Sequence, residues 1–491
     1  MAKPSHPLAH AAPSAPTQRV RALHHPHPSL RTRGDDVDSL GSTSSSLSEV
    51  LSALSHAFDL TAGQSLGHTM RTCAIGMRLG EELGLGEEQR CALYYALLLK
   101  DSGCSSNAAR MAALFGSQDQ TVKARMKLVD WENPVRLVLY AMRNSGLGRS
   151  LPRRVMHFLR LASTGNVTRD LIQIRCDRGA DIALRLGFPS STGEAIRSLD
   201  EHWCGVGYPA GRCGEEIPLL SRIANLAQTV DVFFHAHGVH AALAMARQRR
   251  GRWFDPALVD LMLPWRDDRV WWARLATGHL AAEVVAAEPG DARRVTAAGL
   301  DDIARAFADI IDAKSPYTSR HSSSVAAIAR GIARASGLSE IEQHDLYRAG
   351  LLHDIGKLGV SSAILDKPGM LTPDERRVIE RHPAYTWEIL SRVSAFDDFA
   401  WTAAIHHEKL DGSGYPWGLE ARHLDAGSRI LGVADMYEAL TADRPYRAGM
   451  SREKALGILE SERGTKLCGA ALDGLQAIDT DVEIAVAELA A

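Results

Sequence analysis

Residues 351–357 read Leu351-Leu352-His353-Asp354-Ile355-Gly356-Lys357, and the chain around them sets further histidines at intervals. His321 comes before, His382 and the pair His406-His407 come after, and Asp435 closes the series. Imidazole and carboxylate are the ligands that hold hydrolytic first-row metal ions. The residues between these positions carry a helical pattern. Val325, Ile328, Ala329, Ile332 and Ala333 fall at i, i+3, i+4, i+7 and i+8, an apolar stripe on one helix face. Gly337 suits the stop of that helix. Ser339 with Glu342 predicts a capping box for the next, which carries Leu346, Leu351 and Leu352 towards His353. Thr372-Pro373-Asp374-Glu375 repeats this logic for the helix that delivers His382. Strand patterns are nearly absent, so the fold class is expected to be all-α.

A second word follows the histidine pair: Glu408-Lys409-Leu410-Asp411-Gly412-Ser413-Gly414-Tyr415-Pro416. From about 300 to 475 the chain resembles the HD-GYP family of metal-dependent phosphohydrolases, whose best-known substrate is cyclic di-GMP. The resemblance implies a catalytic domain over 298–480 and two divalent metal ions, with iron or manganese favoured. His321, His353 and Asp435 would complete one shell, His382, His406 and His407 the other, and Asp354 would bridge them. Some family members place a glutamate four residues before the first ligand histidine, where it supports a third metal. Tyr317 stands there, which favours two.

Two metal ions a few ångströms apart can bind phosphate oxygens, generate a hydroxide and stabilise the leaving oxygen. Asp354 and Lys357 are the catalytic candidates, and Lys357 could meet the phosphate as a point charge or simply complement a helix end. Lys357, Lys409, Asp411, Gly414, Tyr415, Arg444 and Arg447 are the candidates for substrate contact. Tyr415 would stack on or hydrogen-bond a nucleotide, or else pack its own loop. Arg444 and Arg447 divide evenly between phosphate contact and structural ion pairs. The family's usual Phe-Asp-Pro word is replaced by Gly464-Thr465-Lys466-Leu467-Cys468-Gly469, with local rearrangement expected.

The same pattern occurs earlier in degenerate form. Aligning His68 with His321 brings Lys100-Asp101 onto His353-Asp354 without a gap. Arg175-Cys176 is then set on Arg381-His382, Glu201 to Pro209 on Glu408 to Pro416, and Gln228 on Asp435. The ligand positions become His68, Lys100, Asp101, Cys176, Leu199, Asp200 and Gln228. Leucine cannot ligate, and a lysine in place of the central histidine is expected to pair with Asp101, since burying that carboxylate alone is costly. The reading is two tandem HD-type helical bundles, the first over 47–262, metal-free and regulatory. It carries a folded insertion at about 105–150 (47 residues, from the Lys100–Cys176 and His353–His382 spacings). Residues 263–297, with Trp265, Trp271 and Trp272, form a linker or interface segment through which the copies are expected to dock. Residues 481–491 read as a C-terminal tail.

Composition limits the alternatives. Net charge is −3 over 491 residues, so no global field favours nucleic acid or an anionic membrane. Seven scattered cysteines without a C-x-x-C pair fit reduced thiols and a cytoplasmic protein. No long apolar run suggests a membrane span. Residues 1–46 are rich in Ser, Pro and His and read as a disordered tail. The expected function is metal-dependent hydrolysis of cyclic di-GMP to pGpG or GMP. Another cyclic dinucleotide, or a nucleotide phosphoester, is the alternative substrate. A nucleotide-binding signalling module without turnover is the alternative class, and a homodimer or a signalling partner stays open.

Overall fold

In the computed structural model the described residues are 45–163, 167–443 and 447–489. Residues 1–44 of the expected N-terminal tail and Arg444, Pro445 and Tyr446 lie outside them, while Ser46, at the tail's end, caps helix Leu47–Ala62. Among the described residues the fold is helical throughout, with isolated β-bridges and no strands, as the capping and stripe patterns imply. Val325, Ile328, Ala329, Ile332 and Ala333 are all buried on helix His321–Ala335. Ser339 and Glu342 cap each other reciprocally, as do Thr372 and Glu375 with Pro373 at the first turn. Gly337 adopts φ 76° just past the helix end, a conformation that glycine enters without steric cost.

The two copies repeat one order of elements. Helices Leu47–Ala62, His68–Glu82 and Glu87–Leu99 and the 3-10 turn Ser102–Ser105 build the first. Ala297–Asp312, His321–Ala335, Glu340–Leu352 and Ile355–Gly359 match them in the second. Each copy then adds the helix that follows its turn, Val167–Arg185 or His382–Leu390, and a long helix, Leu219–Gln248 or Ala426–Thr441. The opening helices are exchanged contacts: Leu47–Ala62 packs on the turn Ile355–Gly359, and Ala297–Asp312 packs on Ser102–Ser105. Between them the rings of Phe58 and Phe307 stack at 5.3 Å. One continuous apolar core runs from Val50 through Phe307 to Ile478, so the copies share a core. Burying a Phe side chain contributes about 1.5–3 kcal/mol, which makes this junction strongly favourable.

The insertion folds into helices Ala108–Phe115, Asp119–Met126, Pro134–Asn144 and Leu151–Ser163. Its own core gathers Met111, Phe115, Val122 and Tyr140 with Leu171, while Val135 and Leu139 are exposed. The tryptophans of the join face the first copy. Trp265 donates to Glu82, Arg78 lies over Trp265 and Trp271, and Trp272 meets Phe234. They complete the first copy, and the docking contacts run through the opening helices and the insertion instead. Residues 480–489, expected in part as a tail, form helix Thr480–Leu489, which lies along His321–Ala335. No helix among the described residues is long and apolar enough to cross a membrane.

Candidate metal centre

Seven side chains from six helical segments converge in the second copy. His321 opens helix His321–Ala335, His353 and Asp354 link Glu340–Leu352 to the turn Ile355–Gly359, and His382 opens His382–Leu390. His406 and His407 follow the short helix Ala400–Ala404, and Asp435 sits within Ala426–Thr441. Gly356 permits the convergence. A Cβ there would lie 1.9 Å from the His382 carbonyl oxygen, so a side chain would push that helix, and its histidine, away. Arg320, just before His321, has φ 64°. A non-glycine residue in that region costs on the order of 1–2 kcal/mol, a strain held in place by the surrounding core.

The ring orientations leave one nitrogen of each buried histidine facing the cluster. His353 Nδ1 donates to Gly350 O at 2.7 Å, His382 Nδ1 to Ile379 O at 2.8 Å, and His406 Nδ1 to Ala403 O at 2.7 Å. His321 Nδ1 donates to the Glu438 carboxylate. Such partners fix the tautomer and raise the basicity of the opposite nitrogen. Glu438 was not among the sequence candidates; its signal is a buried acid one turn beyond Asp435 on the same helix face.

Asp354 lies between two sets. Its Oδ2 is 3.4 Å from both His321 Nε2 and His353 Nε2, and its Oδ1 is 3.3 Å from His382 Nε2 and 3.8 Å from His406 Nε2. His321, His353 and Asp435 form one group of mutually close ligand atoms, and His382, His406 and His407 another. His353 Nε2 and Asp354 Oδ1 are buried without a hydrogen-bond partner. An orphaned acceptor in a dry interior is costly, and a cation between these atoms would satisfy both, so the donor set fits divalent metal. The protonation states agree. Burial holds His382, His406 and His407 below the usual imidazole value, helped by neighbouring histidines at His406 and His407 and by Lys357 at His382 and His407, in the neutral form that ligates. Burial would lower His321 too, but hydrogen bonds to Asp354 and Glu438 outweigh it and raise the ring to about 10. This pocket therefore calls for positive charge.

The outer candidates divide. Lys357 is half-buried with its ammonium on Asp354, beside a cavity of about 220 Å³ that Lys314, Tyr317 and Thr318 also line. Tyr415 lies against the site, its ring 4.7 Å from that of His407. Gly414 lets its loop close over the histidine pair, since a Cβ would meet Glu408 Cα at 2.4 Å. Lys409 is partly exposed on the same loop. Asp411 is exposed and accepts from Ser413 N and Oγ, which makes it a turn-former. Arg447 donates to the Ala439 carbonyl at 2.7 Å, a structural contact.

The corresponding place in the first copy is filled by cations of the chain itself. Lys100 is fully buried, pairs with Asp101 and contacts His68 Nε2 at 3.1 Å. Lys127, from the insertion, lies 3.5 Å from Asp101 Oδ1 and 3.4 Å from Gln228. Arg175 pairs with Asp200. The structure moves one alignment. A Cβ on Gly103 would meet Arg175 O at 1.9 Å, as one on Gly356 meets His382 O, so Arg175 and not Cys176 stands in the place of His382. A constant offset of 207 residues carries Arg175 to His382, Glu201 to Glu408 and Gln228 to Asp435. Among the described residues the first copy holds no metal-type cluster.

The HD domain family model matches residues 104–258 and again residues 305–471. The chain is 44% identical over 431 residues to the 3′3′-cGAMP-specific phosphodiesterase 3 of Vibrio cholerae, covering 87% of this chain and 94% of that one. It is 39% identical over 149 residues to a cyclic di-GMP phosphodiesterase of Thermotoga maritima, covering 30% of this chain and 40% of that one. A crystal structure of a cyclic GMP-AMP-specific phosphodiesterase from V. cholerae superposes with a TM-score of 0.61 at 38% identity, over 88% of this chain and 97% of the other. With both copies matched and the histidine cluster assembled in the second, the chain belongs to the HD domain family, in its HD-GYP type, and carries two HD regions.

Proposed function

We propose that this chain is a metal-dependent phosphodiesterase that opens a cyclic dinucleotide at the second copy, with the first copy non-catalytic. The observation that carries the reaction is the seven-residue cluster with Asp354 facing both ligand sets. His321, His353 and Asp435 would hold one divalent ion and His382, His406 and His407 the other, with iron or manganese suited to these donors. Bound there, the ions would neutralise phosphate oxygens and acidify a water. The chain supplies the rest. Backbone carbonyls and Glu438 hold the ring tautomers, Lys357 offers a point charge to the phosphate, and Tyr415 beside His407 offers a face to a base. Water adds across one P–O bond, leaving a phosphomonoester and a free hydroxyl.

For the substrate, 3′3′-cyclic GMP-AMP is placed ahead of the cyclic di-GMP expected from the sequence. What supports this order is that the likeness to a cGAMP-specific enzyme runs through both copies, whereas the Thermotoga cyclic di-GMP enzyme matches under a third of the chain. The test is metal analysis and turnover of both dinucleotides by the full chain and by Asp354→Ala. The variant is expected to lose metal and nearly all hydrolysis. Stoichiometric metal with normal turnover in Asp354→Ala would refute the assignment, and a higher kcat/KM for cyclic di-GMP would reverse the substrate order.

A further inference from the structure

The insertion of the first copy reaches the second copy's site from behind. Its helix Ala108–Phe115 packs on helix Ser362–Leu365, and the next helix, Asp119–Met126, starts with hydrogen bonds to that helix's first turn and to the turn Ile355–Gly359, which carries Lys357. Asp119 has no exposed surface. A carboxylate in that position needs a full set of partners, and most of them come from the other copy. Ser361 Oγ and Ser362 N each donate at 2.9 Å, and Lys314 Nζ lies at 3.2 Å. Lys123, from its own helix, adds an ammonium at 3.5 Å. Burial would raise Asp119, but the charges of Lys314 and Lys123 and the two serine hydrogen bonds bring it down to about 2, so it stays ionised.

The neighbouring contacts point the same way. Gln120 Nε2 donates to Leu358 O at 3.2 Å, the carbonyl next to Lys357, and to Leu60 O at the same distance. Lys314 Nζ also reaches Leu358 O at 3.5 Å, and Lys314 lines the cavity shared by Asp354 and Lys357. Gly63, with φ 65°, lets the chain pass where a Cβ would be 2.2 Å from Gln120 O, so the insertion is pressed onto the end of the opening helix. Asp119 and Gln120 thus hold the chain just after Lys357, at Leu358, Ser361 and Ser362, and the Lys314 ammonium beside it, without touching the metal ligands.

We propose that Asp119, a residue of the metal-free copy, is a positioning residue for Lys357, acting through Lys314, Ser361 and Ser362. The inference rests on the role given above to Lys357. It assigns the first copy a part in the reaction: its insertion completes the second copy's phosphate-binding turn. A displacement of a reacting group by about 1 Å can cost 10²-fold, so loss of this brace falls on the chemical step.

The test is a kinetic double-mutant cycle on the metal-loaded full chain, with Asp119→Asn, Lys357→Met and the double variant. Metal content and melting temperature are measured alongside. Asp119→Asn is expected to lower kcat about 10- to 100-fold with KM and metal content little changed. In the Lys357→Met background Asp119→Asn should have no further effect, because it acts through that lysine. A role confined to stability would leave kcat of the folded variant intact, or lower it equally in both backgrounds, and either result overturns the proposal. Normal turnover in Lys357→Met would instead remove the reading on which the inference rests. Should Asp119→Asn fail to fold, Gln120→Ala enters the same cycle, and an unchanged kcat in that variant overturns the inference.

Discussion

Replacing Lys100 by Met isolates the substitution that separates the two copies. Lys100 and Asp101 are 2% and 1% exposed, and the ammonium sits on Asp101 Oδ2 and 3.1 Å from His68 Nε2. Removing one partner of a buried ion pair costs about 3–5 kcal/mol, because the other charge is left without compensation. Lys127 already pairs with Asp101 Oδ1 at 3.5 Å and stays in the variant, so the cost should lie at the lower end of that range. Lys100→Met/Asp101→Asn removes both charges. It should recover to within about 1.5 kcal/mol of the parent, since a buried pair and its neutral replacement are often nearly equivalent. Equilibrium urea unfolding measures all three proteins, with metal content of the second copy as a control that should not change. A cost under about 1 kcal/mol for the single variant, or a double variant as unstable as the single, would show that Lys100 does not neutralise Asp101.

Other perturbations have equally definite outcomes. Glu438→Gln leaves an acceptor for His321 Nδ1 but removes the charge, and metal affinity by chelator competition should fall about 10- to 100-fold. Gly356→Ala puts a methyl group 1.9 Å from His382 O; the cost should reach about 3 kcal/mol or more, with metal lost even where the protein still folds. Acid sensitivity should have a contribution from His56, which burial and then Arg392 lower from 6.5 to about 4. The unfolded chain then binds more protons between those values, so this contribution is complete above pH 6.5 and lost as pH falls towards 4. It amounts to at most about 3 kcal/mol, and the stability difference between parent and His56→Gln should shrink over that window; a constant difference contradicts it.

The helical class and the metal cluster were legible because their signals are local. An i, i+3, i+4 stripe, a capping box and a His-Asp pair each lie within a few residues, and the geometry reproduces them at Val325–Ala333, Ser339–Glu342 and Asp354. What depended on tertiary contact was not legible. Glu438 resembles any helical acid until His321 is set against it. Asp411 and Arg447 match family words, and the contacts they make within the chain, a turn and a helix end, are set by the loop around them. The tryptophans of the join have the composition of an interface, but Arg78 and Glu82 of the first copy were the nearer partners. The one-residue slip at Cys176 arose across the insertion, where sequence similarity is weak; the close approach at Gly103 sets the register.

The two copies meet the same electrostatic demand in different ways. In each, a carboxylate is buried at the start of a 3-10 turn, with a histidine held from behind by an acid: His68 by Asp231 and His321 by Glu438. In the second copy the surrounding groups are imidazoles, and His353 Nε2 and Asp354 Oδ1 are left without an internal partner, a demand that a cation from outside the chain would meet. In the first, Lys100, Lys127 and Arg175 supply it permanently. Restoring one histidine there would not restore a metal site, because two further cations would still occupy the positions of ions and repel them. With that compensation internal, Asp101 is balanced by the chain's own cations. What the first copy shares with the second is the core around Phe58 and Phe307 and the insertion, whose Asp119 and Gln120 reach Ser361, Ser362 and the Leu358 carbonyl just after Lys357.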